Sequence, residues 1–342
     1  MTRWRAMAMG IVGSAVAAWG LMAASAHAAS EPAHDLIVCD DLGSPAHALG
    51  IGLELLVKLE LMPTTGIDVA ASASSGRADC LMTMEDKASA FAILDSTIVE
   101  SPPEDLRFSG DGPKTRPLLV ASLWRQAAQF LIARNQRLSG TIGDFALLSD
   151  DQRVIDPALR DGAALLLAMA GITIDRRTDG MPMKTPDALT ESFNRGATIG
   201  FAVLEPVPSP TVTEFLAKTG GRAVMLELSQ RYLEADDTGW RPLLIPAFSY
   251  PDISRPVETF GNTVMLVAEA DVADETVYQV TKIMFNNLPK LRQVDDIATQ
   301  ISIDRALDDT DLPLHPGAAR YYREIGVLPY EAGASKVDRV SD

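Results

Sequence analysis

Short apolar runs alternate with amphipathic segments in the first third of the chain. Apolar runs at residues 36–39, 67–71 and 89–94 predict strands, and the apolar spacing at 46–61 and 77–84 predicts helices between them. This order favours a parallel sheet with helices on both faces, because parallel neighbours need a crossover connection. The pattern therefore predicts a doubly wound α/β unit.

The middle of the chain repeats the alternation. Helices are expected at residues 157–170, 185–194 and 211–218, and strands at 198–204 and 225–228. This stretch therefore predicts a second α/β unit.

Apolar segments also enter and leave this second unit. Residues 118–123 and 243–248 are candidate hinge strands, and residues 130–133 predict another strand beyond a bend at Arg125. A short helix is expected at residues 229–233. The chain would then cross between two lobes and return.

The last third returns to the first unit. A strand is expected at residues 263–268, followed by an amphipathic helix that Asp274 caps and that runs to Leu288. A further helix is predicted at residues 292–306. The closing helix should begin at Pro316, a favoured first helical residue, and stop at Gly326.

The first 28 residues predict a secretory signal. Arg3 and Arg5 precede an apolar run, and small residues at Ala26 and Ala28 suit cleavage after Ala28, which would place the protein in the periplasm. A membrane anchor is the alternative, although the run is rich in Ala and Gly. Loss of this segment changes the formal net charge from −16 to −18. That charge argues against nucleic acid or an anionic membrane surface as a partner.

The remaining length exceeds what one apolar core usually serves, so two lobes are expected. We predict lobe I from residues 29–120 and 250–330, lobe II from 121–249, and a flexible tail at 331–342. The lobes would be joined by two hinge strands, with ligand in the cleft at the carboxyl ends of the strands.

Cys39 and Cys80 can form a disulfide in an exported chain, or they can be two buried thiols. No metal-ligand spacing, P-loop or Gly-x-Ser-x-Gly elbow occurs, so we expect no metal, no cofactor and no enzyme. For an enzyme on the same scaffold, His315 is the most tempting catalytic candidate. That histidine has no nucleophile partner in sequence and precedes a proline-initiated helix.

Motifs in the C-terminal third support a more specific interpretation. They are Ile245-Pro246-Ala247 with Tyr250-Pro251, Leu266-Val267 with Asp271 and Val277-Tyr278, and Pro313-Leu314-His315-Pro316-Gly317-Ala318 with Tyr321-Tyr322, Glu324 and Gly326. In this order they resemble the TAXI family, the TRAP-transporter-associated extracytoplasmic solute receptors, over residues 240–328. Ser122-Leu123-Trp124 and Pro208-Ser209-Pro210 with Glu214 extend the resemblance more weakly.

The resemblance implies a two-lobed, periplasmic-binding-protein-like fold. It also implies capture of a small organic acid or amino acid, such as glutamate or 2-oxoglutarate, and its delivery to the membrane permease of a TRAP transporter. The expected partners are therefore a small carboxylate or amino-acid ligand and that permease.

The chain departs from the family in the expected ligand loops. Residues 44–48 lack the family's glycines and tyrosine, residues 72–75 lack its Thr-x-Gly-Ser, and Glu205-Pro206 replaces a glycine pair. Since glycines let backbone amides approach an anion closely, the pocket is expected to be reshaped. A diverged receptor with a sensory or scaffolding role and no transport is the alternative function.

Eight residues are candidate ligand contacts. Ser44, Ser74 and Ser75 follow strands and can either hold a carboxylate or cap helices. Arg125 can pair with a carboxylate or lie free on the surface, and Glu205 can meet an amine or be a surface charge. The set is Ser44, His47, Ser74, Ser75, Trp124, Arg125, Glu205 and Tyr250.

Overall fold

The computed structural model describes residues 34–74, 79–80, 83–84, 91–100, 117–134, 138–172, 185–228, 239–251 and 253–329. In these residues nine strands form one sheet. The strands are β1 (His34–Val38), β2 (Val69–Ala73), β3 (Phe91–Asp95), β4 (Pro117–Ala133), β5 (Arg153–Ile155), β6 (Gly200–Glu205), β7 (Ala223–Met225), β8 (Arg241–Ile245) and β9 (Val257–Glu269).

The sheet is mixed, in the order β2-β1-β3-β9-β4-β6-β5, with β7 paired to β4 and β8 paired to β9. The pairs β1–β2, β1–β3 and β5–β6 are parallel, whereas β9 runs antiparallel to β3 and β4. The predicted α/β class is confirmed.

Helices connect and cover the strands. They are α1 (Pro45–Leu56), α2 (Met62–Thr65), α3 (Ser96–Glu100), α4 (Ile142–Ala146), α5 (Pro157–Gly162), α6 (Ala164–Met169), α7 (Pro186–Asn194), α8 (Pro210–Thr219), α9 (Asp274–Asn286), α10 (Leu288–Val294) and α11 (Pro316–Glu324). A π-helical turn at Val57–Leu61 links α1 to α2. No helix in the described ranges is long and apolar enough to cross a membrane.

Two long strands form the middle of the sheet. The prediction of two strands on either side of a bend at Arg125 was wrong, because β4 is one strand of 17 residues. It stays paired to β9 through register shifts between Leu119 and Ala121 and between Ser122 and Trp124. These irregularities accommodate the local bend without ending the strand.

Three helix predictions also need correction. The helix expected at residues 292–306 is absent: α10 ends at the extended Asp295, and only 3₁₀ turns follow at Asp296–Thr299 and Ile303–Arg305. The predicted helix at 157–170 is broken at Ala163. Asp274 is not the cap of α9, since Ala273 holds that position without a side-chain bond.

The C-terminal motif is structural. His315 caps α11, with its Nδ1 accepting from the Gly317 N–H at 3.1 Å. A Cβ on Gly317 would lie 2.2 Å from the Asp274 carbonyl oxygen, so only glycine fits this approach to α9. The buried Tyr322 hydroxyl donates to the Val120 carbonyl at 2.8 Å. The helix is therefore fixed to the sheet by packing and hydrogen bonds, as expected for this motif.

The apolar core is divided along the two long strands. Trp124 and Val264 belong to a cluster with α1, α9 and α11, which we name the first cluster. Ala128 and Phe260 belong to a second cluster with α5 and α6. Residues 32–342 nevertheless form one compact unit, and the lobe boundaries stay a prediction.

The structure joins Cys39 and Cys80 in a disulfide, with their Cα atoms 5.2 Å apart. Such a separation is usual for bridged cysteines. The bridge ties the end of β1 to the helical residues around Cys80. The predicted signal segment, the helix at 229–233 and the tail at 331–342 lie outside the described residues.

Candidate ligand-binding site

Four carboxylates lie at the carboxyl ends of strands. Asp95 is the last residue of β3 and Glu205 the last of β6, while Asp156 directly follows β5 and Asp40 lies two residues after β1. Parallel strands present their carboxyl ends at a common edge, which is where open α/β sheets bind ligands. The sheet order therefore groups Asp40 with Asp95 and Asp156 with Glu205.

The two groups are close enough to affect each other. Burial, together with the charges of Glu205 and Asp40, raises the pKa of Asp156 to about 6. Burial also raises the pKa of Asp40, with the charges of Asp41 and Asp95 adding to the effect. Because Asp40 follows β1 and Asp156 follows β5, the ends of these distant strands must approach one another.

The first loop after β1 satisfies its own polar groups. The Ser44 Oγ accepts from the His47 N–H at 3.1 Å and so caps α1. The His47 Nδ1 accepts from the Gly43 N–H at 3.3 Å. Ser44 also hydrogen-bonds the Asp40 carboxylate. Both predicted contacts lie beside Asp40, and their contact with a ligand stays a prediction.

The second predicted loop is only partly described. Ser74 follows β2, is buried, and donates its N–H to the Val38 carbonyl at 2.9 Å. This bond continues the β1–β2 pairing beyond the last strand residue. Ser75 lies outside the described residues. Both serines remain predicted contacts.

Glu205 is held in place at the start of α8. Its carboxylate accepts from the hydroxyls of Ser209 and Thr211, the latter at 2.8 Å. Ser209 also caps α8 by accepting from the Val212 N–H at 3.0 Å. The charge at the end of β6 is therefore fixed in position.

Tyr250 supports the same loop from inside the core. It is only 1 % exposed, and its hydroxyl donates to Gln129 Oε1 at 2.5 Å and accepts from the Ser209 N–H at 2.8 Å. Burial, with the nearby charge of Glu205, raises the pKa of Tyr250 to about 12. Its observed role is to position the loop that carries Glu205, and ligand contact stays a prediction.

Trp124 and Arg125 occupy different surroundings from the strand ends. Trp124 is buried in the first cluster. Arg125 forms an ion pair with Asp309 in the segment that follows the last 3₁₀ turn. The carboxylate predicted to meet Arg125 is therefore, in this structure, one of the protein's own. A ligand contact for either residue remains untested.

Sequence reasoning missed Asp40, Asp95, Asp156 and Asn262. Asn262 is 1 % exposed within β9, and in the described part of the chain neither its Oδ1 nor its Nδ2 has a hydrogen-bond partner. The signal available in sequence was an amide just before the apolar run Val264–Ala268. Asp40 and Asp95 directly follow predicted strands, whereas no strand was predicted before Asp156.

Comparison with known proteins identifies the family and the fold. Residues 43–326 match the NMT1-like family, and the chain belongs to that family. A structure of PhnD1 from Prochlorococcus marinus in complex with methylphosphonate has a TM-score of 0.50 at 11% identity, covering 86% of this chain and 99% of that one. The fold is therefore that of periplasmic solute-binding proteins.

Other solved structures resemble the chain at lower scores. A TctC solute-binding protein from Polaromonas matches at TM-score 0.46 and 14% identity, over 86% of this chain and 98% of that one. The periplasmic aliphatic sulphonate binding protein SsuA from Escherichia coli matches at TM-score 0.40 and 12% identity, over 87% and 88%. The names of these neighbours describe binding proteins.

Proposed function

We propose that the protein is a periplasmic receptor that captures a small organic acid or amino acid and delivers it to a TRAP-type membrane permease. The convergence of four strand carboxyl ends at Asp40, Asp95, Asp156 and Glu205 carries this proposal. The family and fold support it, because α/β folds of this kind bind ligands at the carboxyl ends of their strands. The motifs at residues 240–328 favour the TAXI subfamily.

The long strands provide a mechanism for capture. β4 and β9 pass from the first cluster to the second, so the two apolar cores are connected by continuous backbone. Bending at this connection would close lobe II over a solute bound to lobe I. Closure removes the solute from water, and the closed form presents a surface that a permease can distinguish from the open form.

Export follows from the first 28 residues. We infer that the segment ending at Ala28 directs the chain to the periplasm and is cleaved there. The disulfide between Cys39 and Cys80 is compatible with an oxidising compartment. Intact-mass measurement of protein recovered from the periplasm tests this, and a mass that retains residues 1–28 would contradict cleavage.

The departures from the family in the ligand loops favour a second candidate function. Glu205-Pro206 replaces a glycine pair in a loop that is expected to contact the ligand in the TAXI family. The second candidate is therefore a sensor or scaffold that does not take part in transport. A large polytopic permease encoded next to the gene would favour transport. Its absence, with solute binding retained, would favour the second candidate.

Thermal unfolding of protein purified from the periplasm tests the receptor function. A panel of organic acids, amino acids, amines and sugars is added at millimolar concentration, and a bound solute should raise the Tm by mass action. Binding should saturate, and mass spectrometry should recover the solute unchanged. If no solute raises the Tm, or if the solute is converted, the receptor function is wrong.

A further inference from the structure

Asn262 lies in the middle of β9. This side chain is 1 % exposed, and within the described ranges its Oδ1 and Nδ2 are both without a hydrogen-bond partner. Buried amides in native proteins are nearly always hydrogen-bonded, because leaving them unpaired lowers stability. Because the Asn262 amide has no such partner among the described residues, we expect its hydrogen-bond partner to come from outside the chain.

The strand register shows where the amide points. Val264 pairs with Asp95 of β3, and directly paired residues project to the same face of a sheet. Side chains two residues apart on a strand also share a face. Asn262 therefore projects from the same face as Asp95, at the position on β9 two residues before Val264. Its side chain is thus aimed past the carboxyl end of β3, towards the acidic strand ends.

The neighbours across the sheet define a floor. Gln126 of β4 pairs directly with Asn262. On the other edge, Arg241 of β8 pairs with Gly261, so Trp240 comes beside Asn262. The ring of Trp240 packs edge-on against Phe260, with centroids 5.0 Å apart, which confirms that it lies on this face. The side chains of Gln126 and Asn262 therefore place two amides on the sheet face between the first and second clusters.

The carboxylates at the strand ends line the sides of the cleft next to Asn262. Asp40 and Asp95 lie on the side of β1 and β3, and Asp156 approaches from the side of β5. The indole Nε1 of Trp240 donates to the Gly162 carbonyl at 3.0 Å, which places α5 over the same face. α5 begins directly after Asp156, whose carboxylate accepts from the Ala158 N–H at 2.8 Å and from the Leu204 N–H of β6 at 3.5 Å, so it lies beside the carboxyl end of β6.

These groups select the chemistry of a solute. Carboxylates are acceptors and bind positively charged donors, whereas a second carboxylate would be repelled. An asparagine amide supplies one acceptor and two donors, so it can orient a neutral polar group or a carboxylate elsewhere on the same solute. The combination suits a molecule with an amino group at one end and a polar group at the other.

We propose that Asn262 is a ligand-binding residue on the floor of the cleft, and that the solute presents an ammonium group to Asp40 and Asp156. The proposal rests on the receptor function proposed above and narrows its solute class to amino compounds. Simple organic acids without an amino group then bind weakly.

Matched solute pairs test the class. Isothermal titration calorimetry compares glutamate with 2-oxoglutarate, alanine with lactate, and putrescine with 1,4-butanediol. The amino member of at least one pair should bind ten or more times tighter than its partner. Equal binding within each pair, or tighter binding of the members without an amino group, overturns the amino class while leaving the receptor function intact. Failure of every solute overturns both.

Variants test the residue. Asn262→Leu should lower affinity for the bound amino compound at least tenfold, and Asp156→Asn should lower it while leaving the protein folded. Thr281→Val is the matched control, because Thr281 is buried in α9 and bonds only within its helix at Val277. Unchanged affinity in Asn262→Leu overturns the role of Asn262.

A measurement on the wild-type protein covers the case in which Asn262→Leu does not fold. In ¹⁵N-labelled protein the side-chain amide of Asn262 should shift, and its hydrogens should exchange more slowly, when the amino compound saturates the site. A resonance that does not respond at saturation shows that the amide does not meet the solute.

Discussion

Removal of the Tyr250 hydroxyl is a direct test of how the site is supported. In Tyr250→Phe the ring remains, and only the oxygen that bonds Gln129 Oε1 at 2.5 Å and the Ser209 N–H at 2.8 Å is lost. All three residues are at most 1 % exposed, so water cannot replace the missing partner without opening the core. The change therefore leaves one donor and one acceptor unsatisfied.

The structure sets the size of the effect. A buried polar group that loses its partner costs about 1–3 kcal/mol, so two such groups give a loss of about 3 kcal/mol once some relaxation is allowed. Gln129 keeps its second bond, from Nε2 to the Glu205 carbonyl at 3.1 Å, and this limits its movement. Solute affinity should also fall, because Ser209 helps to hold Glu205.

Urea unfolding followed by circular dichroism measures the change, with two tyrosines as controls. Tyr278→Phe removes a hydroxyl bonded to Glu324 and Lys282, both partly exposed, and should cost less than about 1 kcal/mol. Tyr322→Phe removes one buried bond to a backbone carbonyl and should fall between the two. If Tyr250→Phe costs no more than Tyr278→Phe, the proposed support of the loop is wrong.

Three further predictions concern stability. Burial lowers the pKa of His315 below 6.5, so the unfolded chain takes up a proton before the folded one does. The contribution of His315 to stability should be complete above pH 6.5 and should be lost as the pH drops below it. His315→Asn keeps a capping acceptor and should flatten this part of the pH profile of urea midpoints. An unchanged profile would count against the assignment. Burial raises the pKa of Asp156 from 3.8 to about 6, so the charged carboxylate opposes folding at neutral pH. Asp156→Asn should therefore raise the unfolding free energy at pH 7.5 by up to about 3 kcal/mol. This gain should vanish as the pH falls from about 6 to 4. A gain that persists at pH 4 would refute this cause. The disulfide links residues separated by 41 positions in sequence. In urea unfolding, the double substitution Cys39→Ala/Cys80→Ala should lower the free energy of unfolding by about 4 kcal/mol. A loss below about 1 kcal/mol would show that this loop is already constrained in the unfolded chain.

Local patterns in the sequence predicted much of the fold. Apolar runs predicted β1, β3 and β6, and the starts of α7 at Thr185-Pro186 and of α11 at Pro316 were also predicted. These features depend on neighbours within a few residues, which is why period and cap chemistry are sufficient. The helix expected at residues 292–306 was wrong because the local signal at Asp295 was missed. The extended backbone of Asp295 ends α10 there, and its carboxylate bonds the Ile297 N–H at 2.8 Å.

The candidate site was predicted less completely than the fold. The structure places Ser44 and His47 beside Asp40 and Glu205 at the end of β6, in loops that follow strands, and their contact with a ligand stays a prediction. The sequence could not show that Tyr250 faces inward, that Arg125 already meets Asp309, or that Asn262 has no hydrogen-bond partner within the described residues. Each of these depends on residues far apart in the chain.

The sequence by itself determined the α/β class, the parallel units and the structural role of the closing helix, since each follows from local periodicity and capping. Only the tertiary structure decided that β4 is one continuous strand, that the acidic ends of four strands converge, and that Asn262 projects between the two apolar clusters. The physical reason is strand pairing. The order and register of a sheet arise from contacts between distant segments, and they fix which side chains meet.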